Sequence, residues 1–377
     1  MSVFWNRRTA ALEPYVPGEQ PRDRAFIKLN TNENPYPPSP RVIAAIERVL
    51  AEGGDSLRLY PDPLSSEFRE AAAAAYGVSP GEVFPGNGSD EVLAFAFGAF
   101  FESAAGTPGD VSGAVPPVLF PDITYSFYPV YANLWGIPCR TVPLTEDFSI
   151  DIEQYLNPDG SAAGCGECGG AIIANPNAPT GRVLPAGELR ALAAFLEKRR
   201  RVLIVDEAYA AFGAESLVPH IKDHPNLLTV HTLSKSASLA GLRVGFAIGH
   251  EDLIRGLFRI RDSFNSYTMD RLALAGGSAA VGDRAYYDGI KRRIIATRER
   301  SAAALRALGF DVIPSGANFL FVRPPRSGGA EMTAALRDRG ILVRHFNKPR
   351  IAGWLRVSVG TDSGMDAFLS ACGDIGG

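Results

Sequence analysis

The chain has 377 residues, too long for one ordinary hydrophobic core and suited to a large α/β domain with a smaller companion. Its 38 lysines and arginines against 41 aspartates and glutamates give a formal net charge of -3, which excludes a strongly basic, nucleic-acid-binding surface. No apolar run approaches the roughly 18 to 20 residues of a membrane span, and residues 1–15 lack the apolar region of a secretory signal. We therefore expect a cytoplasmic enzyme for small molecules that binds neither nucleic acid nor membrane.

The middle of the chain has the pattern of a doubly wound α/β domain. It follows the segment NENPYPPSP, which is too rich in proline for regular structure. From about residue 80 to 265, short apolar runs alternate with helical stretches such as residues 189–200, which predicts a mostly parallel sheet covered on both faces. The predicted strands are VLF (118–120), AIIA (171–174), VLIV (202–205), LLTV (227–230) and VGFAI (244–248).

A smaller α+β domain is predicted after about residue 268. It contains a long helix in residues 291–308, followed by the short strands FLFV (319–322), ILVR (341–344) and WLRVSV (354–359). We expect residues 46–268 to form the large domain, and residues 1–45, with an N-terminal arm, to join residues 269–377 in the small one. Two such domains leave a cleft, and ligands of open parallel sheets bind beyond the carboxyl ends of the strands.

Two neighbouring strand ends are predicted to present a carboxylate and an amine to this cleft. Asp206 and Tyr209 follow VLIV, and Ser234, Lys235 and Arg243 follow LLTV. A lysine in a loop is usually only solvated, so the other side chains carry the prediction. Together they suit pyridoxal 5'-phosphate, which needs an amine for an imine, a carboxylate beside its ring nitrogen, a donor to its phenolic oxygen and an anion site.

The turn GNGSDE, residues 86–91, supplies a candidate anion site. It precedes the apolar-rich segment VLAFAFGAFF and so predicts a glycine turn that leads into a helix. The free N–H groups and the positive dipole end of a helix N-terminus favour a phosphate group. Ser234 and Arg243 would add a hydroxyl and a guanidinium donor to the same phosphate.

The motifs together resemble a known enzyme family. KLNTNENP, RLYPDP, GNGSDE, TYSFY, NPNAPTG, VDEAY, TLSKSASLAGLR and LRVSVGT occur in the order seen in fold-type-I aminotransferases, and they are similar to the histidinol-phosphate aminotransferase family from about Leu12 to Gly360. The resemblance implies a fold-type-I structure with pyridoxal 5'-phosphate as cofactor. It also implies transamination of histidinol phosphate with 2-oxoglutarate, which yields imidazole acetol phosphate and glutamate in histidine biosynthesis.

The resemblance implies roles for individual residues around the cofactor. Lys235 would hold the cofactor as a Schiff base and act as general base, while Asp206 would pair with the ring nitrogen. Tyr209 would bind the phenolic oxygen, and Tyr125 would stack on the ring. The other cofactor contacts would come from Ser89, Asp90, Glu91, Ser234 and Arg243.

One position departs from the family pattern. The residue before the proline of PTG is usually asparagine in the family, and in this chain it is Ala178. Asn177 is the nearest residue that could replace the missing bond to the phenolic oxygen, and Asn175 is more distant. We therefore expect Asn177 to bind the cofactor.

The substrate end is also implied by the resemblance. Arg356 resembles the arginine that binds a substrate carboxylate through two parallel hydrogen bonds, a task that lysine performs poorly. Arg344 and Tyr15 match positions near the phosphate of histidinol phosphate, and Asn32 matches a substrate-binding position. Tyr60 resembles the tyrosine that is lent to the neighbouring active site, which implies a homodimer with shared active sites.

The cysteines predict no metal site. Cys165 and Cys168, in CGECGG, have the spacing of half a zinc knuckle, but no second pair of cysteines completes four ligands. The glycines around them favour a plain loop with two free thiols.

Other activities on the same scaffold stay open at this point. An aromatic aminotransferase or a threonine-phosphate decarboxylase would share Lys235 and Asp206. A transcription regulator that senses pyridoxal phosphate would need a DNA-binding domain before the aminotransferase-like part. The motifs begin near residue 12 and the charge balance is wrong for DNA, so we expect an enzyme.

Overall fold

The strands of the protein form two sheets. The computed structural model describes residues 3–21, 24–51, 53–104, 115–156 and 168–376. Its strands are β1 (Ile27–Leu29), β2 (Val83–Asn87), β3 (Val118–Pro121), β4 (Cys139–Val142), β5 (Gly170–Ala174), β6 (Val202–Asp206), β7 (Leu227–Thr232), β8 (Val244–Gly249), β9 (Asp311–Ile313), β10 (Phe319–Arg323), β11 (Ile341–His345) and β12 (Leu355–Ser358).

The larger sheet has seven strands in the order β2, β8, β7, β6, β5, β3 and β4. Strands β3 to β7 run parallel to one another, whereas β8 is antiparallel to both β7 and β2. The sheet is therefore mostly parallel, as predicted. All five predicted strands of this domain are present, while β2 and β4 were not predicted.

Helices cover both faces of the larger sheet and also pack against the smaller sheet. They are α1 (Arg7–Ala11), α2 (Pro40–Ala51), α3 (Ser66–Tyr76), α4 (Ser89–Phe100), α5 (Tyr128–Trp135), α6 (Glu153–Leu156), α7 (Ala186–Glu197), α8 (Leu233–Ser236), α9 (Glu251–Asp262), α10 (Arg271–Gly282), α11 (Arg284–Ala307), α12 (Gly329–Asp338) and α13 (Asp362–Gly376). The predicted helices at 189–200 and 291–308 correspond to α7 and α11.

Successive residues of a central strand belong to different cores. Leu203 and Val205 of β6 pack with Leu192 of α7 on one face of the sheet. Ile204 packs with Val92 of α4 on the other face. Side chains alternate along a strand, so a strand that is covered on both faces becomes a continuous apolar run.

The smaller sheet has the order β1, β11, β12, β10 and β9. Strand β1 is parallel to β11, and the remaining pairs are antiparallel. Leu305 of α11 and Phe368 of α13 pack in its core. Ile294, nearer the start of α11, packs in a core of the larger sheet, so this one helix joins the two sheets.

The division into domains at residue 268 stays a prediction, because Ala273 and Leu274 of α10 share a core with the larger sheet. Cys165 lies outside the described residues. Within the described ranges, no helix is long and apolar enough to cross a membrane.

Candidate active site

A cavity of about 390 Å³ lies where the carboxyl ends of β6 and β7 face the smaller sheet. It is the place predicted for a ligand of an open parallel sheet. Most of the predicted site residues line it, although they come from distant parts of the chain. They are Tyr15, Asn32, Ser89, Asp90, Tyr125, Asp206, Tyr209, Ser234, Lys235, Arg243, Arg344 and Arg356.

Asp206 is the last residue of β6 and is buried at the floor of the cavity. Its Oδ2 accepts a hydrogen bond from the Tyr128 hydroxyl at 2.9 Å, and its Oδ1 accepts one from the Ala208 N–H at 3.1 Å. Burial raises the pKa of Asp206 to about 6, although both hydrogen bonds oppose this rise. A cation beside Asp206 would stabilise the ionised carboxylate and so lower its pKa toward the ordinary value.

Lys235 follows β7 on the short helix α8, one strand away from Asp206. Its Nζ donates to the Thr31 carbonyl oxygen at 3.1 Å. Burial, and to a lesser extent the positive charge of Arg356, lower the pKa of Lys235 to about 8. A buried amine with a lowered pKa is a competent nucleophile and base near neutral pH.

The N-terminus of α4 and the segment around β8 form a tight seat beside Lys235. Gly88 precedes α4 with φ of 81°, and a Cβ atom there would lie 2.4 Å from a nitrogen of Arg243. A Cβ atom at Gly245 would lie 2.2 Å from the Ser89 nitrogen. Both positions favour glycine, because a Cβ atom would collide with the Arg243 guanidinium at Gly88 and with the Ser89 backbone at Gly245.

An unpartnered hydroxyl and a guanidinium group face this seat. The Oγ atom of Ser234 is buried and has no hydrogen-bond partner among the described residues. Arg243 pairs with Asp90 at 2.9 Å, and Asp90 also accepts the hydroxyl of Tyr125 at 2.7 Å. Hydroxyl and guanidinium donors beside the N-terminus of a twelve-residue helix suit an anion such as phosphate.

Tyr209 lies between the two sheets. Its hydroxyl oxygen accepts a hydrogen bond from Asn32 Nδ2 at 2.9 Å, and its ring meets Phe319 of β10 edge to face at 5.1 Å. Burial raises the pKa of the Tyr209 hydroxyl, whereas Arg356 and Asn32 lower it. Tyr209 is therefore a neutral phenol at physiological pH, able to donate one proton.

Two guanidinium groups enter the cavity from the smaller sheet. Arg344 of β11 and Arg356 of β12 are paired across these strands. Their side chains donate to the Val16 and Asn30 carbonyl oxygens, at 3.3 and 3.1 Å. Among the described residues, neither guanidinium has a carboxylate within salt-bridge distance.

Burial lowers the pKa of Arg356, and the charge of Arg344 lowers it further. The N-terminal segment covers this end of the cavity, where Tyr15 stacks on Phe127 with ring centroids 4.3 Å apart. The arrangement presents two positive charges to an incoming ligand.

Three predicted site residues lie outside the cavity. The carboxylate of Glu91 turns back to accept the Asn87 N–H at 2.7 Å. The amide of Asn177 donates to the Ile123 carbonyl oxygen and the Thr180 hydroxyl, while Ala178 lines the cavity instead. The geometry thus gives no support to a cofactor contact of Glu91 or Asn177.

Tyr60 is 78% exposed and stacks on Tyr267 with ring centroids 4.5 Å apart. It contributes nothing to the cavity of its own chain. Asn175, the more distant candidate to replace the missing asparagine, bonds both backbone polar groups of Leu184.

Comparison with known proteins places this geometry in a family. The model of the aminotransferase class I and II family matches residues 24–371. The chain belongs to the class I and II aminotransferase family. It is 52% identical over 375 residues to the histidinol-phosphate aminotransferase of Aromatoleum aromaticum, covering 100% of this chain and 99% of that one. A Bordetella parapertussis histidinol-phosphate aminotransferase is 53% identical over 371 residues, or 98% of each chain.

Solved structures agree with this assignment. The histidinol-phosphate aminotransferase of Sinorhizobium meliloti, in complex with pyridoxal-5'-phosphate, superposes with a TM-score of 0.83 at 25% identity, covering 100% of this chain and 98% of that one. An aspartate aminotransferase of Thermus thermophilus has a TM-score of 0.78 at 20% identity over 98% of this chain and 99% of that one, which shows the shared fold. The predicted fold-type-I architecture is confirmed.

Sequence reasoning missed several residues of this aminotransferase's site. Tyr128 bonds Asp206, Thr31 bonds Lys235, and the Asn34 amide donates to the Lys235 carbonyl oxygen at 2.9 Å. Phe346 lies with its ring centroid 5.6 Å from the guanidinium carbons of both Arg344 and Arg356. The motifs TYSFY and KLNTNENP contain Tyr128, Thr31 and Asn34, so the sequence held a signal for these three residues. No motif pointed to Phe346.

Proposed function

We propose that this aminotransferase binds pyridoxal 5'-phosphate and transfers the amino group of histidinol phosphate to 2-oxoglutarate, a step of histidine biosynthesis. The products would be imidazole acetol phosphate and glutamate. The observation that carries the proposal is the pair of arginines, Arg344 and Arg356, which enters the same cavity as Lys235 and Asp206. The two relatives described above, which bear the name of this activity and match nearly the whole chain, support the same substrate.

The cavity fits the proposed cofactor at both of its ends. The unpartnered Ser234 hydroxyl, Arg243 and the N-terminus of α4 suit the phosphate group. The buried carboxylate of Asp206 suits a protonated ring nitrogen, and the hydroxyl of Tyr209 suits a phenolic oxygen. Lys235 lines the same cavity and would bind the aldehyde.

The roles of the protein groups follow from their protonation. Pyridoxal 5'-phosphate, when bound, supplies an electron-accepting ring that makes the α-hydrogen of an amino compound acidic. Asp206 holds the proton on the ring nitrogen, because a buried carboxylate strongly favours a neighbouring cation. Lys235, with its lowered pKa, would take the proton from the substrate α-carbon and would donate a proton to the aldehyde-derived carbon of the cofactor.

The substrate end selects for negative charge. A phosphate monoester carries up to two negative charges and three acceptor oxygens, which match two guanidinium groups and the phenol of Tyr15. The same arginines can bind the carboxylates of 2-oxoglutarate in the second half of the reaction. An uncharged aromatic side chain would leave one of the arginines without an anion beside it.

We also infer a homodimer in which Tyr60 reaches the active site of the partner subunit. The support is an exposed apolar surface around Tyr60, unusual on a protein that acts alone. Its side chains are 43 to 78% exposed and belong to Leu57, Leu59, Tyr60, Phe264 and Tyr267. Mixing inactive Tyr60→Ala and Lys235→Ala subunits should restore activity, and a failure to complement would contradict shared sites. The cytoplasmic location stays a prediction.

The substrate is tested by comparing kcat/KM for histidinol phosphate and phenylalanine in the wild type and in Arg344→Ala. We expect histidinol phosphate to be preferred, and the substitution to cost it about ten- to a hundredfold while phenylalanine changes little. Arg323→Ala, on the exposed part of β10, is the matched control. If phenylalanine is the better substrate, or if both fall equally in Arg344→Ala, the aromatic aminotransferase alternative replaces this proposal.

A further inference from the structure

A short chain of hydrogen-bonded polar groups leads to the Tyr209 hydroxyl. Asn32 Nδ2 donates to the Tyr209 hydroxyl oxygen at 2.9 Å, and Asn32 Oδ1 accepts from the Ser358 hydroxyl at 3.0 Å. The backbone N–H of Asn32 donates to the same Ser358 oxygen at 2.8 Å. Asn32 is 1% and Ser358 2% exposed, so water cannot substitute for these contacts.

The contacts give this chain a direction. The Ser358 oxygen accepts the Asn32 backbone N–H and donates its own proton to Asn32 Oδ1. With Oδ1 turned to Ser358, the amide NH₂ of Asn32 faces Tyr209. Because an amide nitrogen only donates, it occupies a lone pair of the Tyr209 oxygen and leaves the phenolic proton for an acceptor elsewhere.

The backbone conformation of Asn32 orients this amide. Its φ is 54°, in the left-handed region, which asparagine tolerates better than most residues. The Asn318 amide donates to the Asn32 carbonyl oxygen at 3.1 Å and holds this conformation. Asn318 is itself fully buried beside β10. Two strands of the smaller sheet therefore anchor one side chain of the larger domain's site.

Among the described residues, the apolar side chains that pack against Tyr209 add no donor beside its hydroxyl. They are Ala178, Ala317 and Phe319, which carry no polar hydrogen. Asn177, beside Ala178 in the chain, directs both amide hydrogens to Ile123 and Thr180. On this face, Tyr209 supplies the donor to a ring oxygen.

We propose that Asn32 is a positioning residue that makes Tyr209 a hydrogen-bond donor toward the phenolic oxygen of pyridoxal 5'-phosphate, with Ser358 fixing the direction. This role differs from the substrate contact predicted for Asn32 from the sequence. It rests on the proposed function, because it requires that the cavity bind this cofactor.

The proposal has a spectroscopic consequence. A donor to the phenolic oxygen stabilises negative charge there, so the lysine-linked cofactor loses its own proton at a lower pH. Loss of the donor should raise the pH at the midpoint of the change in cofactor absorbance. Other charged or titratable groups around Tyr209 are Arg356, Asp206 and Tyr15, and those around Lys235 are Arg356, Glu33, Asp90 and Arg243. The variants below leave all of these groups in place.

The experiment titrates cofactor absorbance against pH in the holoenzyme and four variants. Tyr209→Phe should raise the midpoint by about one pH unit, the effect of one hydrogen bond to a charged oxygen. Asn32→Asp should raise it similarly, since its carboxylate accepts the Tyr209 proton and turns it away from the cavity. Ser358→Ala should raise it by less and introduces no charge. Asn226→Asp, a buried amide that bonds the Ala193 and Arg201 carbonyl oxygens, should lower Tm without moving the midpoint.

The double variant Tyr209→Phe, Asn32→Asp separates positioning from a bare charge effect. If Asn32 acts through Tyr209, adding Asn32→Asp to Tyr209→Phe should not move the midpoint further. A shift of the same size in that background, or unchanged midpoints in both Asn32→Asp and Ser358→Ala, would overturn the inference. Failure of the proposed function is distinct, because the wild type would then take up no cofactor and show no such absorbance.

Discussion

The two ends of the active-site cavity are stabilised in different ways. At the cofactor end the chain supplies its own partners: Asp206 is bonded by Tyr128, and Asp90 lies between Arg243 and Tyr125. At the substrate end Arg344 and Arg356 bond carbonyl oxygens, and among the described residues no carboxylate neutralises them. The first end is assembled before a ligand arrives, whereas the second is completed by the ligand's own charge.

The charged groups at the substrate end contribute to affinity in a different way from those at the cofactor end. Like charges that lie directly opposite on antiparallel strands destabilise a sheet, and Arg344 and Arg356 are such a pair. An anion that binds between them removes this repulsion. Substrate affinity therefore includes the relief of an unfavourable interaction, whereas cofactor affinity draws on groups that are already placed.

The largest expected effect is at Lys235. Lys235→Ala should abolish turnover and the covalent link to the cofactor, because no other amine lines the cavity among the described residues. The link is checked by borohydride reduction and peptide mapping of the wild type. A label on any other lysine would show that the cofactor end has been assigned to the wrong residue.

Asp206→Ala should come next, with a loss in kcat of about a thousandfold while some cofactor stays bound. The phosphate seat at Gly88, Ser234 and Arg243 is separate from Asp206 and should survive. Single-turnover kinetics and cofactor content measure the two effects. Turnover close to the wild type would remove Asp206 from the mechanism.

Arg356→Lys tests the substrate end of the cavity. Lysine keeps the charge but loses the forked geometry, so kcat/KM for histidinol phosphate should fall by about a hundredfold with cofactor affinity unchanged. Arg323→Lys, an exposed exchange on β10, should change neither quantity. If Arg356→Lys weakened the cofactor instead, the two ends would not be independent.

The smallest effect concerns the stability of the cofactor-free protein. Burial raises the pKa of Asp206 to about 6, so the folded state holds this proton more tightly than the unfolded chain. The free energy of unfolding should therefore fall as pH rises from about 4 to 6, by about 2 kcal/mol from this group. Asp206→Asn should lack this part of the decline, measured by urea unfolding at several pH values.

Glu207 contributes to the same decline. Burial, and to a lesser extent the charge of Asp206, raise the pKa of Glu207 to about 7, so it adds to the decline in both proteins and by less in Asp206→Asn. Asp223→Asn, at an exposed carboxylate, is the matched control and should leave the decline intact. If the free energy of unfolding changes by the same amount between pH 4 and 6 in the wild type and in Asp206→Asn, the pKa of Asp206 is not raised in the folded protein.

The strands show which part of the fold could be predicted from the sequence. Every predicted strand has neighbours on both sides of its sheet, and all are present. Every missed strand is at an edge: β2, β4, β1 and β9. Strand β2 contains Pro85, which an edge strand tolerates, and three of the four residues of β4 are exposed. An apolar run appears only where both faces and both edges are covered.

The site shows a similar division. Residues that follow central strands, such as Asp206 and Lys235, could be placed because parallel strands end at one edge. The direction of Asn177 could not be predicted, since it depends on bonds to Ile123 and Thr180 in three dimensions. The anchoring of Tyr209 by Asn32 was likewise out of reach, because Ser358 lies 326 residues away along the chain.

Segments near both ends of the chain line the cavity, so the complete cavity can form only late in synthesis. Residues 27–29 of β1 pair with residues 341–343 of β11, and Tyr15 and Arg356 meet in one lining. A growing chain that already contains Lys235 has no partner for β1 and no Arg356. Contacts between such distant segments form late in folding. The complete cavity would therefore form only after Arg356 has been synthesised, and a chain stalled before that point would carry the reactive lysine without the arginines that bind the substrate.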